Sequence, residues 1–193
     1  MVYGKWIVSC TVLGLSLFPG LLDFSGRSRE TMNNQGLEEL YENSNEAAVE
    51  ELYETVVLQT EGPWDPSFTL LPQAKQDLHV VMVMDMEIQN GGIAQFFWNN
   101  GSVYASKVSD ALKNTGLSEI AELYDALLSD NQITMEEIDQ YREIDPQLTT
   151  LYKRDWDCFQ EFDDAYMNIW EETDFEQTIL DFASDHPEIM GDE

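Results

Sequence analysis

The chain has 193 residues, with 38 Asp and Glu against nine Lys and Arg and a formal net charge of −29. Such a field opposes direct binding of nucleic acid and of anionic membranes and favours basic partners. At 43% hydrophobic and 11% aromatic, the chain also has the apolar mass that a disordered acidic tail lacks.

Residues 1–31 carry Lys5, Arg27 and Arg29 against Asp23 and Glu30, a net of 3 − 2 = +1, so residues 32–193 hold −30. Trp6 to Phe24 is mostly apolar, and its length approaches the roughly 17–25 residues that span a bilayer. Gly14, Pro19, Gly20 and Asp23 interrupt it. Three readings stay open: an export signal, a single anchor, or translated upstream sequence with the true start at Met32. Any membrane contact is expected through residues 6–24 only. The expected organisation is an apolar N-terminal segment and linker over 1–31 and an acidic domain over 32–193. That domain belongs in the cytoplasm unless 6–24 anchors or exports it. Cys10 and Cys158 lie far apart and outside any Cys/His ligand spacing, which predicts neither disulfide nor zinc site.

Apolar residues spaced three and four apart predict an amphipathic helix over 37–58, broken near Asn43-Ser44-Asn45. Pro63, Pro66 and Pro72 predict a loop over 60–72. Leu78 to Ile88 is apolar nearly all round, the mark of a helix inside a bundle, with a buried strand over Val80–Met84 as the rival reading. Asn90-Gly91-Gly92 should stop that helix through a glycine at the left-handed C′ position. A short helix, Ile93 to Trp98, follows and ends at Asn99-Asn100-Gly101. Further helices are predicted over 102–114, 118–129 and 135–144, with Gly116 as C-cap and Ser118 as N-cap between the first two. Thr134-Met135-Glu136-Glu137 reads as a capping box. Pro146 opens a long helix over 147–171, and Thr173-Asp174-Phe175-Glu176 reads as a second box starting a last helix over 174–184. The fold class is therefore all-α, a single compact domain of about six to eight helices.

On the long helix, Leu148, Leu151, Tyr152, Trp156, Phe159, Phe162, Tyr166, Ile169 and Trp170 share one arc of the wheel. Asp157, Glu161, Asp164, Glu171 and Glu172 share the opposite arc. Between Asp155 and Glu193 there are 14 acidic residues and no Lys or Arg, whereas an ordinary solvated helix face mixes signs for i,i+4 support. The ridge is expected to bind a partner, with Asp163, Asp174 and Glu176 as flanks. Asp85 and Asp155 fall on apolar faces and read as core carboxylates, paired with Arg142, Lys153 or a Trp indole. A salt-adapted surface is the competing explanation of the charge.

No catalytic constellation stands out. His79 and His186 are the only histidines, and neither lies near a nucleophile motif. P-loop, dinucleotide and zinc-protease motifs are absent from the sequence. The acidic stretch Asp130–Glu137 lacks the ligand alternation and central glycine of a calcium loop. The expectation is a non-enzymatic protein without cofactor or metal.

The stretch Glu87-Ile88-Gln89-Asn90-Gly91-Gly92-Ile93-Ala94-Gln95-Phe96-Phe97-Trp98-Asn99 resembles the hallmark of the bacterial DNA-mimic protein family. Ala111-Leu112 with Gly116, and Asp185-His186-Pro187-Glu188, resemble its downstream pattern, so the likeness covers about residues 45–190. Glu87, Asn90, Gly91, Gly92, Gln95, Phe96, Phe97 and Asn99 match a fold motif rather than a binding motif. The resemblance implies an all-helical single domain, often a homodimer, that occupies the DNA site of a basic DNA-binding protein such as a transcription factor. The alternatives from the residues alone are an immunity-type inhibitor of a basic toxin or nuclease, and an acidic globular domain with no mimicry role.

Overall fold

A computed structural model describes residues 45–144 and 156–191. The N-terminal segment and linker, the predicted helix before Asn45, the Pro146 opening of the long helix, and Asp155 lie outside those residues. The described residues form seven α-helices and no strand. In chain order these are α1 Asn45–Tyr53, α2 Gln73–Ala105, α3 Val108–Asn114, α4 Ser118–Asp130, α5 Met135–Ile144, α6 Trp156–Glu172 and α7 Phe175–Asp185. Among the described residues no helix is long and apolar enough to cross a membrane.

The α2 helix is the axis of the fold, packed by α3, α5, α6 and the π-helical turn Glu54–Leu58 that follows α1. Its stretch Leu78–Met84 is buried throughout, so Val80–Met84 is helix and not strand. Burial on all sides gives these β-branched residues and methionines nothing to do but pack, and tertiary contacts override their mixed propensity. Two glycine breaks cut α2 into three segments. Gly92 sits at φ 79°, ψ 175° and Gly101 at φ 61°, ψ −163°. Both have the positive φ expected of a glycine stop, but with extended ψ instead of the left-handed helical value. The chain therefore turns out of line and restarts at Ile93 and at Ser102.

The predicted helix over 102–114 is interrupted: Ser106 and Lys107 form a turn between α2 and α3. Buried Tyr104, Ala105, Val108, Ala111 and Leu112 keep helical spacing across that turn, which is why the period alone reads it as continuous. Gly116 (φ 86°) ends α3 in a Schellman turn, with Leu117 N–H on the Leu112 carbonyl at 2.8 Å and Gly116 N–H on Lys113 at 3.3 Å. Leu117, not Ser118, takes the N-cap place of α4, and its side chain supplies burial rather than a hydrogen bond.

Thr134 caps α5 as expected, its hydroxyl accepting from Glu137 N–H at 3.1 Å. The second predicted box is corrected. The Thr173 hydroxyl donates back to the Ile169 carbonyl at 2.7 Å, and Asp174, in the left-handed region at φ 49°, ψ 61°, is the N-cap of α7. With α6 ending at Glu172, the Thr173 hydroxyl turns back along the helix to the Ile169 carbonyl, which also accepts Thr173 N–H at 2.9 Å, and so it does not face the N–H groups of α7.

Candidate partner-binding surface

The α6 helix divides its faces as its sequence dictates. Phe159, Phe162 and Tyr166 are buried, while Asp157, Glu161, Asp164, Glu171 and Glu172 are exposed. At about 1.5 Å of rise per residue, the ridge from Asp157 to Glu172 extends about 22 Å. One strand of B-DNA carries a charge every ~3.4 Å of axis, about six over that length, so the ridge has nearly the linear charge density of a single strand. The aromatic face behind it makes the line rigid: Phe159 meets Phe97 of α2 with ring centroids 5.9 Å apart. Of the expected flanks, Asp174 is exposed, Glu176 is half-buried, and Asp163 is half-buried and turned toward α2. The sequence reading missed a second exposed acidic set, Glu119, Glu122 and Asp130, on α4, which packs against α6. Their spacing on the outer face of α4 was the available signal.

Two carboxylates hold α6 to α2. Asp163 Oδ1 accepts from Ile93 N–H at 2.8 Å, the first backbone donor freed by the Gly92 break. Asp85 accepts from the Tyr166 hydroxyl at 2.6 Å and from the Gln89 amide at 2.9 Å. The core reading of Asp85 thus stands, with a tyrosine as its main partner. The Trp170 indole N–H is buried and lies outside hydrogen-bonding geometry, so the Trp indole expected from the sequence is not the partner of Asp85. Burial raises Asp85 to about 6 against the pull of Tyr166 and Gln89, with nearby Glu176 adding to the rise. Burial likewise raises Asp163 to about 6, with Asp164 adding to the rise and the Ile93 N–H opposing it.

These shifts predict the pH dependence of folding. An acid whose folded-state pKa lies above its unfolded value binds its proton more readily in the native state. Its contribution to stability is complete below pH 3.8 and is lost as pH rises through about 6. Two units at about 1.4 kcal/mol each set a ceiling of about 3 kcal/mol for Asp85, and less for half-exposed Asp163, where water screens the shift. The thermal midpoint should therefore rise as pH falls from 7.5 to 5, and D85N/D163N should flatten that slope. A midpoint that falls over this window, or a double variant with an unchanged slope, would contradict both assignments.

The fold motif closes around the same break. Glu87, buried in α2, accepts through Oε2 from the Gln95 amide at 2.7 Å and the Asn99 amide at 2.8 Å. Both donors come from the segment beyond the glycines, so Glu87 clasps the restart to the helix it left. Gly91 lies under the returning Gln95 side chain, where a Cβ would strike the Gln95 amide oxygen. Phe96 and Phe97 are fully buried, and Asn90 is exposed. His79 is a satisfied core residue: Nδ1 donates to the Val56 carbonyl at 2.8 Å, which leaves Nε2 to accept from the Tyr104 hydroxyl at 2.8 Å. Burial holds its pKa down. His186 pairs with Glu188 at 3.1 Å on the surface. Among the described residues no group of three His, Cys, Asp or Glu is placed to hold a metal ion.

The architecture defines an all-helical acidic domain whose distinguishing surface is a line of carboxylates on a rigid helix. The family model for DMP19-like proteins matches residues 69–186, from the turn before α2 to the end of α7. The chain belongs to the DMP19-like family, a family of DNA mimics. No curated protein and no solved structure matches the chain.

Proposed function

We propose that this protein is a non-enzymatic DNA mimic that occupies the DNA-binding surface of a basic DNA-binding protein, such as a transcription factor, and so blocks its DNA site. The observation that carries this reading is the α6 ridge, an exposed line of carboxylates close in linear charge density to one DNA strand, on a stretch without Lys or Arg. Membership of the DNA-mimic family supports it. The contact residues are Asp157, Glu161, Asp164, Glu171 and Glu172, with Asp174 and Glu176 at the end of the line. Like charges so close repel by a few tenths of a kcal/mol per pair, a cost that the buried aromatic face offsets and that a basic partner turns into attraction. Screening sets the salt dependence: affinity should fall steeply as the Debye length shrinks from about 10 Å at 0.1 M to about 3 Å at 1 M.

The test is a pull-down from the source organism's lysate with the full chain, beside D157N/E161Q/D164N/E171Q. A DNA-binding protein retained by the wild type, lost from the variant and displaced by duplex DNA is the expected result. The variant should be at least as stable as the wild type, because repulsion has been removed. Equal capture by both baits would end the ridge assignment, and capture of a basic toxin instead would favour the immunity-type reading.

A further inference from the structure

We propose that Asp163 is a positioning residue rather than a contact residue of the acidic surface: it seats α6 on the Gly91-Gly92 break of α2 and so fixes where the ridge stands. The inference rests on the ridge reading for its functional meaning and on the α2–α6 contact for its geometry. Asp163 neighbours Asp164 in sequence but not in direction. Asp164 is exposed, whereas Asp163 is half-buried with Oδ1 2.8 Å from Ile93 N. That N–H is available only because Gly92, at φ 79°, breaks the helical ladder before it. A Cβ on Gly92 would run into Asp163 Oδ2. The carboxylate therefore occupies the space that glycine alone leaves, and the break serves as its receptor.

A second bond makes this contact directional. Tyr166 lies one turn further along α6, on the same face, and donates to Asp85 at 2.6 Å. Asp85 belongs to the segment before the break and Ile93 to the segment after it. The pair thus pins α6 to both sides of the break, and sliding α6 by one residue would rotate its ridge by about 100° and lose both bonds. The second break of α2 is treated in the same way. After Gly101, Ser102 offers its N–H at 3.0 Å and its hydroxyl at 2.6 Å to Asp139 of α5. At each restart of α2, then, a carboxylate from another helix takes the freed donor. Burial also lifts Asp163 toward neutrality, the reverse of what a solvent-facing contact charge would experience.

The experiment is residue-resolved amide hydrogen exchange and a pH titration by NMR on the full chain, comparing wild type with D163A, D163N and G92A. Removing the acceptor in D163A should raise exchange over residues 157–172 at least tenfold more than over Val108–Asn114. D163N, which keeps a carbonyl acceptor, should restore protection. The Ile93 amide should titrate with a midpoint at about 6 in the wild type and lose that titration in D163N. G92A should reproduce the exchange pattern of D163A. If G92A does not fold, the two Asp163 variants still decide. Exchange rising uniformly over all helices in D163A, or D163N behaving like D163A, would overturn the proposal. So would a D163N protein with wild-type exchange that loses the captured partner as the ridge variant does, because Asp163 would then be a contact. Exchange needs no partner, so an empty pull-down would count against the mimicry reading alone.

Discussion

Phe97→Ala should cost about 3–5 kcal/mol of folding stability, the range for deleting a buried phenylalanine from a packed core. Phe97 is fully buried and joins three helices by its ring alone. Its centroid lies 5.9 Å from Phe159 on α6, 6.3 Å from Tyr124 on α4 and 5.9 Å from Phe96 beside it. Aromatic pairs of this kind add about 0.5–1.5 kcal/mol beyond the area they bury. Relaxation into the vacancy is restricted, because Tyr124 is itself tied to the Ala105 carbonyl at 2.8 Å. Against a typical domain stability of about 5–15 kcal/mol, the loss would bring the protein near its unfolding threshold. Urea unfolding would show it as a lower midpoint at an unchanged slope. The loss should also loosen the ridge helix, since Phe159 is the buried counterpart of the exposed carboxylates. A cost below about 1 kcal/mol would mean that the three helices are held together elsewhere.

The parts of this molecule that the sequence exposes are those with a period or a stop. The all-round apolar run Leu78–Ile88 reads directly as the central helix, and the two glycine breaks read as helix ends. What stays hidden is any partner distant along the chain. Tyr166 and Asp85 are 81 residues apart, so the reading placed Asp85 in the core but looked for its partner at Arg142, Lys153 or a Trp indole instead of at Tyr166. The motif Glu87…Gln95…Asn99 was legible as a marker of the fold, but its clasp depends on the chain reversing at Gly91-Gly92. Asp163 is a different case, because its signal was present. On the helical wheel it lies about 40° from Phe159 and within the apolar arc, the same argument that set Asp85 and Asp155 apart from the ridge. Its neighbour Asp164 and the overall acidity drew it into the expected flank instead. The choice of carboxylates touched by a partner depends on the fit of two surfaces, and no periodicity encodes that fit.

The clasp supplies the second large effect. Glu87→Ala should destabilise the fold by about 3 kcal/mol, while Glu87→Gln should cost about 1 kcal/mol, in line with typical losses when a buried acceptor is removed or weakened. One oxygen, Oε2, receives both the Gln95 and the Asn99 amides. In the alanine variant both bonds vanish and the buried space once filled by the side chain is left open. Water can reach the exposed Asn99, which keeps the loss below the sum of two fully buried bonds. Glutamine can place its carbonyl oxygen where Oε2 stood and keep both donors satisfied, turning its own amide to the outer side. The loss should be localised as well as large. Without the clasp, the segment from Ile93 to Asn100 loses two bonds to the helix it left, and its amides should exchange faster than those of α4. A Glu87→Ala protein as stable as the wild type would show that the glycine break is held without the clasp, by aromatic packing and the Asp163 bond, and that the fold motif is a mark of the turn rather than a latch across it.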